Sequence, residues 1–212
     1  MKVFVAGATG RVGRELVEDL AAAGHEVVAG SRHAEGTDWP TGVTPCTLDF
    51  HDDESAMATD LKRCDGVCFV AGSRGKDLLQ TDAFGAVKLM RAAKSVGANR
   101  FVMLSSIFAM QPERWAEEPS LQNITDYNIA KFFADEYLAN ISGLEWTIVQ
   151  PSVLKEEPGT GRIELNPEHD GSNPIPDVAA VLAGAIDHPN AIGKVIMMRS
   201  GGTPIDEALS EV

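Results

Sequence analysis

The chain has 212 residues, 44% of them hydrophobic, which suits one domain over residues 1–212 with a sizeable core. Its formal net charge of −13 excludes a broad surface for nucleic acid or an anionic membrane, because phosphates are held by clustered Lys and Arg; any anionic ligand has to be bound locally. No apolar run nears the roughly 20 residues of a membrane-spanning helix and no leader pattern opens the chain, so the expected setting is the cytoplasm.

Residues 2–6, Lys-Val-Phe-Val-Ala, read as a buried strand running straight into Gly7-Ala8-Thr9-Gly10-Arg11-Val12-Gly13. Val12, Leu16 and Leu20 then recur every four residues, the apolar stripe of a helix packed on a sheet. A strand, a glycine turn and a helix in this order aim free backbone N–H groups and the positive end of a helix dipole at one point, where a pyrophosphate can sit. Gly7 allows the turn, Gly10 lets the phosphate approach and Gly13 lets helix and strand pack closely. This is the context a dinucleotide fingerprint requires, with Thr9, Arg11 and Val12 placed among the glycines to line the site. A nucleoside triphosphate loop is disfavoured, because Arg14-Glu15 follow Gly13 where Lys and Ser or Thr are needed.

Gly24 stops the first helix, and residues 26–30 form the second strand, whose end selects the cofactor. An Asp or Glu there binds the ribose 2′-hydroxyl of NAD, whereas a 2′-phosphate needs a cation. The residues are Ser31-Arg32-His33, so NADP is favoured, with Arg32 on the phosphate, helped by Arg11 and Ser31. The alternative is NAD, with Arg32 a solvated loop charge. Pro40 and Pro45 frame a short third strand ending at Leu48-Asp49-Phe50; Asp49 either lies over the adenine end or serves as a turn residue or helix cap. After a helix to Arg63, residues 66–72 are apolar throughout, the pattern of a central parallel strand, and Ala71-Gly72 offer a second close backbone approach to the cofactor. A helical stripe from Leu79 to Ala93, stopped at Gly97, precedes the strand at 100–104. Strands alternating with helices imply an α/β fold, a doubly wound parallel sheet in three αβα layers. The three cysteines, Cys46, Cys64 and Cys68, lack zinc spacing and read as buried free thiols; the histidines also lack metal-ligand spacing.

The fifth strand ends in Ser105-Ser106, at the carboxyl edge where open α/β sheets bind ligands. Tyr127 and Lys131 stand four apart in a helical segment, which puts phenol and ammonium on one face. A fixed cation lowers the pKa of a phenol and makes it a proton donor or acceptor near neutrality. A serine hydroxyl beside it would polarise the substrate carbonyl.

With these segments in order, the chain resembles the short-chain dehydrogenase/reductase superfamily, in particular its small atypical members of NmrA-like and epimerase-like kind. The likeness rests on Gly7 to Gly13, Asp49-Phe50, Phe69 to Gly72, Asp82 to Ala93, Leu104 to Ser106, Tyr127 to Lys131 and Gln150 to Leu154. It implies a Rossmann fold in which Tyr127 gives or takes the proton, Lys131 also holds the nicotinamide ribose, and Pro151 and Phe50 belong to the cofactor site. The third catalytic role falls to a serine after the fifth strand, Ser106 in preference to Ser105. Asp82 stands near where longer relatives often have Asn, and Gln150 where many have Arg.

Beyond the sixth strand, at 145–149, prolines and glycines crowd residues 151–176, expected to be irregular substrate-side loops. A helix from Asp177, a strand at 194–198 and a short helix at 205–209 close the chain. Residues 107–123, with Trp115, are either a lid or a loop that Trp115 anchors. The leading function is an NADP-dependent oxidoreductase acting on a small-molecule substrate, a carbonyl, quinone-like or related compound. A nucleotide-sugar epimerase or dehydratase ranks lower, because it needs more substrate-binding chain than residues 152–212 supply. A non-catalytic NADP(H) redox sensor is the rival from another class, and the presence of Tyr127 and Lys131 speaks against it.

Overall fold

The computed structural model describes residues 1–212. The parallel sheet has the order β3-β2-β1-β4-β5-β6-β10, built from β1 (Lys2–Ala6), β2 (Glu26–Gly30), β3 (Val43–Cys46), β4 (Gly66–Phe69), β5 (Arg100–Leu104), β6 (Glu145–Pro151) and β10 (Lys194–Ser200). Alternation along β1 splits the core in two, as a strand's period of two requires. Val3 and Val5 pack with α1 (Arg11–Ala22), α5 (Ile175–Asp187) and α6 (Ile205–Ser210) on one face. Phe4 and Ala6 pack with α2 (Glu54–Asp60), α3 (Phe84–Val96) and α4 (Thr125–Asn140) on the other. The chain reverses direction across the sheet between β1 and β4, so the crevice beyond their carboxyl ends is where such a fold binds ligands.

Local chemistry explains most boundaries. The apolar stripe of α1 buries Val12, Leu16, Val17 and Leu20, and Gly97 ends α3 in the left-handed conformation, φ 81°. Asp53 caps α2, accepting from the N–H of Ala56 at 2.9 Å. The third strand stops at Cys46, short of Leu48-Asp49-Phe50, and takes Pro45 into its length because it is an edge strand with one unpaired side. Edge position also leaves Cys46 half-exposed, while Cys64 and Cys68 are buried. Burial pushes the thiols up, Cys46 and Cys64 to about 11 and Cys68 to about 12, so none is a reactive thiolate at neutral pH.

Residues 151–176 are not wholly irregular. β7 (Val153–Lys155) pairs with β9 (Ser172–Pro174) in a two-stranded sheet. β8 (Arg162–Leu165) joins the main sheet antiparallel to β10, and β11 (Thr203–Pro204) pairs with β8 at its edge. Glu164 lies opposite Arg199 in that register, and the two form a bidentate ion pair at 2.9 and 3.1 Å. Residues 107–123 hold themselves against the body: Ile107, Phe108 and Leu121 form a small buried cluster, and Trp115 packs edge-on against Phe132 of α4. The Trp115 indole N–H donates to the carbonyl of Phe108 at 2.9 Å, and Arg114 lies over the Phe108 ring. Trp115 is therefore an anchor, and the segment carries no sign of a free lid.

Candidate functional site

A cleft of about 750 Å³ opens at the carboxyl ends of β1, β2, β4 and β5, and every residue expected at the site except Gly13 lines it. Gly7, at φ 96°, receives its turn from two bonds to the Gly30 carbonyl, one from its own N–H at 2.8 Å and one from the N–H of Ala8 at 3.1 Å. A Cβ at Gly7 would lie 2.6 Å from the backbone of Ala71, and one at Gly13 would lie 2.2 Å from the Gly7 carbonyl oxygen. These two glycines are demanded by packing, Gly13 from behind the cleft. Gly10 differs, since a Cβ there meets only the Gly7 carbonyl oxygen at 3.1 Å. It faces open space at the start of α1, a helix with no capping side chain and no carboxylate in its first turn. The free N–H groups of that turn and the helix dipole suit a pyrophosphate. A nicotinamide dinucleotide fits this cradle.

At the end of β2, Arg32 is exposed on the cleft rim and Ser31 is buried, its hydroxyl accepting from Thr9 Oγ1 at 3.1 Å. Arg11 lines the same cleft and pairs with Glu156, beyond β7, at 3.3 Å. Asp49 lines the cleft and is a turn residue, accepting from the His51 N–H at 3.0 Å, which lowers its pKa. Phe50 is buried against Phe69, ring centroids 5.5 Å apart. Ala71, Gly72 and Pro151 line the cleft as well.

α4 brings Tyr127 and Lys131 into the cleft. The Lys131 ammonium is buried, donates to the Leu104 carbonyl at 3.2 Å and lies 5.7 Å from the centre of the Tyr127 ring. The expected depression of the Tyr127 pKa does not result. Burial of the phenol raises it, Lys131 pulls it down, and Asp82 and Asp135 push it up, with a net rise. The two serines part company: Ser105 is buried and its hydroxyl donates to Asp135 Oδ2 at 2.7 Å, whereas Ser106 is half-buried on the cleft wall.

Asp135 was not singled out from the sequence, although it follows Lys131 by four residues and so shares its helix face. It is fully buried, accepts from Gln150 Nε2 at 2.9 Å as well as from Ser105, and keeps Oδ1 unpartnered. Burial raises its pKa to about 7. The folded protein thus holds a proton that the unfolded chain releases above its ordinary value of 3.8. That contribution to stability is complete below pH 3.8 and is lost as pH rises through about 7. Asp135→Asn is expected to flatten this part of the pH dependence, measured as urea midpoints at pH 5 and pH 8; equal slopes in parent and variant would remove Asp135 as the cause.

Comparison with known proteins supports a nicotinamide cofactor. Residues 7–189 match the model of a family described as NAD(P)H-binding. The crystal structure of the oxidoreductase ylbE from Lactococcus lactis superposes with a TM-score of 0.96 at 42% identity, covering 100% of this chain and 96% of that one. A Bacillus subtilis (strain 168) protein described as an uncharacterized sugar epimerase, YhfK, is 31% identical over 220 residues, the full length of both chains. A divinyl chlorophyllide a 8-vinyl-reductase of Oryza sativa subsp. indica is 27% identical, covering 97% of this chain and 56% of that protein.

Proposed function

The chain belongs to the NAD(P)H-binding family, with the Rossmann fold of the atypical short-chain dehydrogenases/reductases, and from that premise we propose that it is an NADP-dependent oxidoreductase acting on a small carbonyl, quinone-like or related substrate. The observation that carries this reading is the pairing of Tyr127 with the buried Lys131 ammonium inside the cleft that the glycine turn opens. The reductase among the relatives supports the reaction class. A bound nicotinamide supplies hydride to the substrate or accepts it. The phenol of Tyr127 delivers a proton to the substrate oxygen on which charge develops, and solvent restores it. The Ser106 hydroxyl donates a hydrogen bond to the same oxygen. Lys131 holds the ribose beside it, while Ile107, Leu121 and Ile124 line the substrate end and exclude water.

A panel of aldehydes, quinones and flavins with NADPH, followed by loss of nicotinamide absorbance, tests the function. Tight NADPH binding with no turnover across the panel would favour the redox sensor instead. The sugar-epimerase description of the Bacillus subtilis relative supports a second reading. Interconversion of nucleotide sugars without net loss of nicotinamide absorbance would establish it.

Arg32 decides the cofactor in this reading. Arg32→Ala is expected to weaken NADP by about 1.5 to 3 kcal/mol, roughly 10- to 150-fold, the worth of a charge-assisted contact, and to leave NAD nearly unchanged. Calorimetric titration of both cofactors checks this, and equal weakening of the two would remove Arg32 from the phosphate.

A further inference from the structure

We propose that Asp82 and Asp135 are positioning residues that act through Lys131 to keep Tyr127 a neutral phenol, the proton-donating form. The proposal rests on the reading of Tyr127 as the proton donor. Its basis is an imbalance of charge below the cleft. Lys131 brings one ammonium to a space that also holds two fully buried carboxyl groups, Asp82 from the π-type turn Leu78–Ala83 and Asp135 one turn further along α4, the latter ionised only above about pH 7 and so charged where a phenol titrates. Asp82 Oδ1 lies 4.0 Å from Lys131 Nζ and has no hydrogen-bond partner; Asp82 Oδ2 accepts from the Ser73 N–H at 3.0 Å, which fixes the carboxylate in place. Asp135 Oδ1 is likewise unpartnered.

A lone ammonium beside a phenol would favour the phenolate. Here its field is divided. The charged groups that act on the Tyr127 phenol are Lys131, which favours ionisation, and Asp82 and Asp135, which oppose it, while the adjoining end of β5 offers only Leu104, Ser105 and Ser106. Partial burial of Tyr127 on the cleft wall disfavours the phenolate further. A neutral phenol still protonates a developing alkoxide readily, because an alkoxide is far more basic than a phenolate. In the reverse direction the same phenol has first to lose its proton, so oxidation is handicapped at neutral pH. The arrangement suits a site that reduces its substrate.

The chain has two tyrosines, which makes the phenol directly observable. Protein labelled with 13C at tyrosine Cζ gives two resonances, assigned by Tyr127→Phe, and each reports its own ionisation. In the parent, Tyr127 is expected to ionise at higher pH than free tyrosine in the same buffer. In Asp82→Asn its midpoint is expected to fall by about one pH unit, since the carboxylate 4.0 Å from Lys131 Nζ no longer offsets the ammonium that favours the phenolate. Asp135→Asn is expected to move it in the same direction and serves where the first variant does not fold. A parent midpoint below that of free tyrosine, or no movement in either folded variant, overturns the proposal. No substrate is needed, so an inactive protein with the expected titration would refute the enzyme and leave the charge arrangement standing. Where the panel yields a substrate, the alkaline fall in the reductive rate is expected to shift down with the resonance.

Discussion

Gly10→Val is expected to cost the protein roughly 100-fold or more in NADPH affinity, about 2.7 kcal/mol, while its melting temperature falls by no more than about 4 °C. The two effects separate because Gly10 faces the cleft. Its added side chain meets only one backbone atom, the Gly7 carbonyl oxygen at 3.1 Å, yet it stands over the uncapped first turn of α1, where a pyrophosphate has to come within hydrogen-bonding distance. Gly13→Val provides the contrast. Its Cβ would sit 2.2 Å from the Gly7 carbonyl oxygen and 2.9 Å from the backbone of Ala8, with backbone on each side that cannot yield, so a loss above about 4 kcal/mol and little folded protein are expected. Calorimetry with NADPH and thermal unfolding on both variants check the pair. A folded Gly10→Val protein that binds NADPH as the parent does would move the cofactor away from the glycine turn.

The same contrast shows what a sequence can carry. Glycine spacing, a strand before it and a helix after it are local, so the glycine turn and the alternation of strands and helices that implies a doubly wound parallel sheet were legible from residue pattern. The pairing of Tyr127 with Lys131 was legible for the same reason, because four residues on a helix are neighbours in space. Strands of three or four residues between prolines have no such pattern. β7, β8 and β9 exist through their partners: β8 through the antiparallel register with β10 and the Glu164 to Arg199 ion pair, β7 and β9 through each other. Cys46 escaped because edge position, not composition, sets its exposure. The direction of the Tyr127 shift was beyond reach for a related reason. It depends on burial and on Asp82, which lies 45 residues before Tyr127 in the chain and meets its helix only in the folded protein. The ion pair of Arg11 with Glu156 was out of reach for the same reason, since the two lie 145 residues apart in the chain.

Tyr127→Phe is expected to lower kcat by roughly 100-fold or more, the scale of general acid–base catalysis, with cofactor affinity almost unchanged. The substitution keeps the ring that Lys131 lies against at 5.7 Å and removes only the ionisable oxygen. With the phenol kept neutral, that oxygen is a donor, so the loss is expected in the reductive direction across neutral pH, not only at one end of the profile. Lys131→Met is expected to lose both turnover and cofactor affinity, because one ammonium holds the ribose and faces the phenol. It also strips the countercharge from the buried Asp82 carboxylate, which costs stability, about 3 to 5 kcal/mol on the scale of broken buried ion pairs. Its melting curve therefore has to be recorded beside its kinetics. Lys131→Arg retains the charge in a longer, planar group and is expected to recover stability in part and turnover little, since the ribose contact depends on the reach of the ammonium. Steady-state kinetics in the reductive direction, with calorimetry for NADPH, separate the roles. Turnover that survives Tyr127→Phe unchanged would take the proton transfer away from Tyr127 and assign it to another group on the cleft wall, of which Ser106 is the nearest in kind.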